Sequence, residues 1–403
     1  MPTASNDNQS RLPTDGSRLR QIGFIPLLAI FYGYTAGGPF GFENIYRDAG
    51  PGMALVFLTF VPFFWSIPIS FAAAELNSIL PVQGGFYRWT RAAFGDFWGF
   101  QCGWWNWAGT FLLNSLYGVL VMDYLSIYIP SITGPIKWAG ACAVLIILAA
   151  LNARGIQVAG WVSVALLVAV LIPVAWLCAV SLFHLHHNPV VPFVPPGAPF
   201  RSVFGRGLAL AVLGNWTEWK TDYIVTASRL IGGPALGAAM LIAAMIGTLS
   251  LSNSTILYTT RVPATMAEDG YLPKWLGRIH PRYGTPVRAI AVSLVVYCVL
   301  ARFDVEDLVN IYIWTRIATT ILTLFAAWQM RRKDPSAPRA FRIPGGKLGL
   351  AYVLIFPVIL CALKVAQSED YVWRWAPWLL ATGPVAYVIL RYGFKLKPTP
   401  LTN

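Results

Sequence analysis

The sequence is short of charge. Asp, Glu, Lys and Arg make up 12% of its 403 residues, about half the share of an ordinary soluble domain. With 56% hydrophobic residues and a mean hydropathy of +0.58, a water-soluble globule is excluded. Cysteine is scarce and scattered: Cys102, Cys142, Cys178, Cys298 and Cys361 each stand alone in an apolar run. Such spacing predicts neither a disulfide framework nor a metal cluster. Alternating strands of ~10 residues are missing, which excludes a transmembrane barrel. No Ser/His/Asp or His/Glu pattern lies at intramembrane depth, so neither an enzyme nor a cofactor is predicted. His184, His186 and His187 have no Cys, Asp or Glu close by and read as a solvated loop, not a metal site.

What the chain does have is apolar runs of spanning length, roughly 20 residues. They fall near 22–46, 52–77, 94–129, 135–151, 157–183, 234–260, 287–303, 307–330, 348–366 and 373–391, with a short one near 207–216. The reading is an all-α polytopic membrane protein with about ten full spans plus one half-helix. Residues 1–20 form a polar, disordered cytoplasmic tail, 21–392 the membrane domain and 393–403 a cytoplasmic C-terminal tail. The run after residue 20 is too long for a signal peptide and lacks a small-residue cleavage site.

The net charge of +13 is distributed as orientation rather than as a nucleic-acid face. With both termini cytoplasmic in a cell membrane, twenty of the 30 Lys and Arg fall on inside stretches. The strongly basic loop 261–288 is then inside, and five preceding spans put 184–200 outside. Everything between 201 and 233 must begin and end outside. GLALAVLGNW, Gly207 to Trp216, would reach only ~15 Å as a helix, half of a ~30 Å hydrocarbon core. Carrying Glu218, Lys220 and Asp222 across would cost roughly 8–10 kcal/mol. A half-helix that enters and does not emerge is the better reading.

The stretch FYGYTAGGPFGFENIY, Phe31 to Tyr46, breaks the first span. Gly33, Gly37, Gly38, Pro39 and Gly41 are expected to unwind it, because glycine and proline both weaken a helix. Freed backbone at membrane depth is tolerated only against protein or a wet cavity. Two interrupted or short segments five apart, the first and the sixth, predict a five-plus-five inverted repeat with a solute site at the breaks. Freed N–H and C=O groups and half-helix dipoles would hold the amine and carboxylate of a small solute.

Here the chain resembles the amino acid–polyamine–organocation superfamily of permeases, above all its polyamine and cationic amino acid uptake branch. GGPFGFEN is similar to that branch's first-helix motif, and PVQGGFYRWTRAAFGDFWGFQCGWW (81–105) to its second-to-third-helix region. MAEDGYLPKWLGRIHPRYGTP (266–286) and PSAPRAFRIPGGKLG (335–349) resemble two cytoplasmic loops. The resemblance covers nearly all of 22–392. It implies a LeuT-type inverted-repeat fold of twelve helices and secondary uptake of an amino acid or polyamine, by proton or cation symport. This chain departs from that pattern. GLALAVLGNW resembles the first half of the sixth helix, whereas TEWKTDYIVTASRLIGGPALG resembles the outer loop after the seventh. The second half of the sixth helix and all of the seventh are absent by this comparison. Loss of the far wall predicts that the chain as written does not transport, leaving a non-transporting remnant or solute-binding protein as the rival reading.

The substrate-binding set read from these segments is Tyr34, Thr35, Gly37, Gly38, Pro39, Phe40, Gly41, Glu43, Asn215 and Trp216. Glu43 follows the break and suits an amine. Glu75 is either a coupling or substrate-binding carboxylate or an acid reaching interfacial water. Arg316, about nine residues into its span, is too deep to snorkel and is either functional or a structural charge partner. Thr259 and Thr260 are candidates for coordinating an ion. Trp104, Trp105, Asn106 and Trp107 either line a pocket or serve as packing and interfacial anchors.

Overall fold

The computed structural model describes residues 22–35, 51–183, 223–366, 368 and 370–399. Helices fill these segments: α1 (Phe24–Thr35), α2 (Pro51–Phe64), α3 (Ser66–Ile79), α4 (Phe86–Phe94), α5 (Asp96–Ser126), α6 (Gly134–Ala153) and α7 (Ile156–Leu182). After the gap come α8 (Tyr223–Thr259), α9 (Arg261–Glu268), α10 (Val287–Leu300), α11 (Val305–Lys333), α12 (Gly346–Ala366) and α13 (Asp370–Val388). No strand occurs among the described residues. Seven helical stretches are long and apolar enough to cross a membrane, and α1 and α10 are shorter apolar helices. The span Gly52–Ile79 comprises α2 and α3, which meet at Trp65. Pro68 there cannot donate to the carbonyl a turn behind it. The long central helix α5 is buried along most of its length, while Trp161, Ile172 and Trp176 of α7 are left exposed.

Part of the packing follows a two-fold rule. α5 packs on α11 as α8 packs on α7, and α5 packs on α10 as α8 packs on α6; α5 also meets α8, and α6 meets α10. Exchanging α5 with α8, α6 with α10 and α7 with α11 maps this set onto itself. The rule has a local signature at the start of each central helix. Arg91, Gly95 and Gly99 sit at the α4–α5 junction at intervals of four, as do Arg229, Gly233 and Gly237 in α8. Gly95 adopts φ 88°, ψ −176° and Gly233 φ 79°, ψ −177°, a conformation that side chains disfavour. Each turn folds a short helix back on the long one. A methyl group at Gly99 would lie 2.5 Å from Arg91 Cβ, and one at Gly237 would lie 2.9 Å from Arg229 Cβ.

The repeat is inverted. Val225, before the Gly233 turn, packs with Leu120 and Tyr124 near the end of α5, while Met266, beyond the end of α8, packs with Tyr87 and Phe100 at its start. α5 and α8 are thus antiparallel. α7 and α8 are antiparallel too: Asn253 Nδ2 donates to Ala159 O at 3.1 Å and to Ser163 Oγ at 2.9 Å. Phe183 and Tyr223 therefore lie at the same end of the bundle, in accord with the parity argument. The opposite end gathers the basic segments. Thr285 Oγ1 donates to Ala153 O at 2.8 Å, and Lys333 Nζ to Ala92 O at 3.1 Å.

Gly33 corrects the sequence reading. It lies inside α1, not in an unwound segment, and a methyl there would meet Ser250 Oγ at 2.5 Å and Ser254 Oγ at 2.8 Å. It lets α1 approach α8 closely, the usual use of a small residue between membrane helices.

Candidate functional site

Four helices converge on a small polar cavity in the bundle interior. α5 contributes Asn106, Gly109, Thr110 and Leu113, and α11 contributes Tyr312, Thr315, Arg316 and Thr319. Both sets follow the i, i+3, i+4, i+7 spacing of one helical face. Thr255, Tyr258 and Thr259 come from α8, Tyr34 from the last turn of α1, and Trp105 closes the lining. Gly109 makes room for the Thr315 hydroxyl, so α5 and α11 approach closely there. Tyr34 and Tyr258 pack ring on ring at 5.3 Å, joining α1 to α8. The cavity holds ≈10 Å³, room for about one water molecule. A larger solute enters only when the walls part.

The lining is chemically lopsided. Thr110 donates to Trp107 O at 2.6 Å, Thr255 to Leu251 O at 2.7 Å, Thr259 to Thr255 O at 2.7 Å and Thr315 to Tyr312 O at 2.7 Å. With their protons committed to helix carbonyls, these hydroxyls offer the cavity oxygen lone pairs. Asn106 is 9% exposed, and its Oδ1 has no hydrogen-bond partner. Among the described lining residues the charged one is Arg316, which shares the cavity wall with Tyr34, Tyr258 and Tyr312.

Of the residues singled out from sequence, Tyr34, Thr259 and Arg316 come together here, and Trp105 and Asn106 also line the cavity. Thr35 is exposed and donates to Phe31 O at 2.8 Å. Thr260 is buried and donates to Ile256 O at 2.7 Å. Gly37, Gly38, Pro39, Phe40, Gly41, Glu43, Asn215 and Trp216 lie outside the described residues. Glu75 stands elsewhere, held by Arg331 through bonds of 2.6 Å to each carboxylate oxygen and by the Ile343 N–H at 2.8 Å. Thr110, Thr255, Tyr258, Tyr312, Thr315 and Thr319 were missed. The signal was present as polar residues at helical spacing within apolar runs.

A second polar cluster closes the basic end. Asp269 accepts from Tyr87 Oη at 2.8 Å and from Arg88 at 2.7 and 3.1 Å, tying α4 to the segment after α9. Burial and the adjacent carboxylate push the Tyr87 phenol well above its ordinary range, so it remains a donor. Arg91 pairs with Asp96 at 3.0 Å and donates to Thr399 O, and Thr399 N–H donates to Asp269 O at 2.9 Å. The C-terminal segment is thereby bound to the same cluster.

A family model described as amino acid permease matches residues 22–217 and 220–383. A probable polyamine transporter of Arabidopsis thaliana is 28% identical over 432 aligned positions, covering 96% of this chain and 85% of that protein. The polyamine transporter PUT1 of Oryza sativa subsp. japonica is 28% identical over 401 positions, 87% of this chain and 75% of its own. The serine/threonine exchanger SteT of Bacillus subtilis (strain 168) is 23% identical over 362 positions, 72% and 81% respectively. These relatives are named as transporters, not enzymes. Matched along most of its length and folded as a multi-pass helical membrane protein, the chain belongs to the amino acid permease family.

Proposed function

We propose that the cavity between α1, α5, α8 and α11 is the solute site of a secondary active permease for amino acids or polyamines. The permease works by alternating access, coupled to an inward proton or cation gradient. The observation that carries this reading is a polar cavity deep between the two halves of an inverted repeat, where such carriers bind their solutes. The site is completed by backbone from Gly37, Gly38, Pro39, Phe40 and Gly41, with Glu43 and, from the sixth segment, Asn215 and Trp216. Both termini are cytoplasmic in the cell membrane, because the basic segments gather at one end of the bundle.

A second reading, a chain that binds solute without carrying it, has its own support. The family match is interrupted between Thr217 and Lys220, and the 432 positions aligned with the Arabidopsis relative exceed the 403 residues of this chain. Part of that relative faces a gap here, in accord with a lost half-helix and span. Uptake into liposomes under an imposed proton gradient decides between the two, using labelled putrescine, spermidine, arginine and leucine. Accumulation of any of them supports the carrier. Saturable binding without accumulation selects the second reading, and neither binding nor uptake refutes both.

A further inference from the structure

α6 and α10, which the two-fold rule exchanges, pack on each other antiparallel. Thr285, just before α10, reaches Ala153 at the end of α6. Trp138, near the start of α6, reaches Cys298 near the end of α10. The last carbonyls of a helix lack an N–H four residues on, and Cys298 O takes donors from α6 instead. Trp138 Nε1 donates to it at 2.8 Å and Cys142 Sγ at 3.9 Å. The second contact sets one cysteine against the other, and the two thiols are themselves in hydrogen-bond contact. Both are free and only half-buried. Their separation of 156 positions hid the pair from the sequence.

Two touching thiols are a latent disulfide, because the bond needs sulfurs that can close to ~2.05 Å without a large backbone movement. The location favours closure. The pair lies towards the end of the bundle opposite the basic segments, which the proposed orientation puts outside the cell, where disulfides persist. Arg302 lies over the Trp138 ring at 4.7 Å, so a guanidinium shares the patch, beside Lys137 paired with Asp123 at 2.6 Å. A nearby cation favours the thiolate that thiol–disulfide exchange requires.

We propose that Cys142 and Cys298 are a dithiol–disulfide pair, a covalent staple between the two halves of the repeat that a low-molecular-weight disulfide closes from the outer side. One thiolate attacks the small disulfide, forming a mixed disulfide and releasing one small thiol. The second thiolate then displaces the other small thiol and completes the protein S–S bond. The protein gives up two protons and two electrons, and the oxidant leaves with them as two thiols. The closed bond ties α6, which packs on α8, to α10, which packs on α5. Since α5 and α8 both wall the cavity, the staple stiffens the frame around it. Access from outside rests on the proposed orientation; the bond itself does not.

The probe is oxidised glutathione, applied after reduction to the purified full chain in detergent and to intact cells. Remaining thiols are blocked with N-ethylmaleimide, and the digested chain is read by mass spectrometry. In detergent the expected product is a pair of peptides joined through Cys142 and Cys298 and reopened by dithiothreitol. The closed chain should unfold about 5 °C or more above the reduced one, a difference that Cys142→Ser and Cys298→Ser each abolish. The joined peptides of the parent chain keep the test decisive even where a serine variant does not fold. Glutathione left attached to either cysteine, two thiols still free, or a closed chain no more stable than the reduced one overturns the staple. Glutathione does not cross the membrane, so the cells test sidedness separately. Closure in both settings supports the whole proposal, whereas closure in detergent alone overturns access from outside and keeps the bond.

Discussion

Glu75 on α3 and Arg331 on α11 form a fork-to-fork ion pair, Nε to Oε1 and Nη2 to Oε2, each at 2.6 Å, with the carboxylate fully buried. Arg339 adds a third charge at 3.5 Å. The pair fastens two helices that are 256 residues apart in sequence. Removing the acid leaves two arginines facing each other in a partly dry site. Glu75→Ala is expected to cost about 3–5 kcal/mol of stability, read as a lower unfolding midpoint in detergent. The folded fraction should still bind solute at parental affinity, because Glu75 does not line the cavity. A changed affinity with unchanged stability would return Glu75 to the list of substrate or coupling residues.

Asp269 is the hub of the basic end. Asp269→Asn keeps its shape and removes the charge that Arg88 and Arg91 share. Opening there should become easier by about 1.4 kcal/mol, a tenfold shift in the equilibrium. The buried native Cys102 reports it, in a chain whose other four cysteines are replaced. Maleimide should modify Cys102 about ten times faster in the variant. An unchanged rate would show that the cluster does not hold this end shut.

Gly99 and Gly237 occupy equivalent places in the two halves. Alanine at either should destabilise by about 1–3 kcal/mol. Gly99 should suffer more, because its added methyl would meet Arg91 Cα at 2.8 Å, against 3.3 Å between Gly237 and Arg229 Cα. Thermal unfolding of the two single variants checks both the sign and the order.

Gly33→Ala should push α1 away from α8 and weaken solute binding through Tyr34, by about 1–3 kcal/mol. The clash is with the Ser250 hydroxyl, so adding Ser250→Ala should restore part of the loss. Ser250 Oγ makes no hydrogen bond whose loss would mask that recovery. Additive losses in the double variant would place the effect elsewhere.

Orientation is tested at Lys274, in the segment between α9 and α10. Lys274→Cys, as a single cysteine, should be labelled by an impermeant maleimide from the cytoplasmic face only. Labelling in intact cells would reverse the proposed orientation.

The sequence by itself determined the membrane class, the approximate spans and their parity. These are properties of consecutive residues: a helix long enough to cross hydrocarbon must be apolar along its own length, and basic loops partition to one side whatever the helices touch. It also carried the Arg91–Gly95–Gly99 and Arg229–Gly233–Gly237 spacing. That pattern became recognisable as a repeat only when both central glycines proved to share one backbone conformation. Tertiary structure alone decided what each polar residue does. Arg316 was visible as a deep cation, but its tyrosine neighbours come from helices up to 282 positions away, and spacing says nothing of rotation about a helix axis. Glu75 read either as a coupling or substrate-binding carboxylate or as an acid reaching interfacial water, and its partner Arg331 became visible only when α11 was in place. Gly33 read as a helix breaker until α8 supplied the serines it packs against. In hydrocarbon, a polar group's role is set by the partner that satisfies it. Here those partners come from helices distant in sequence.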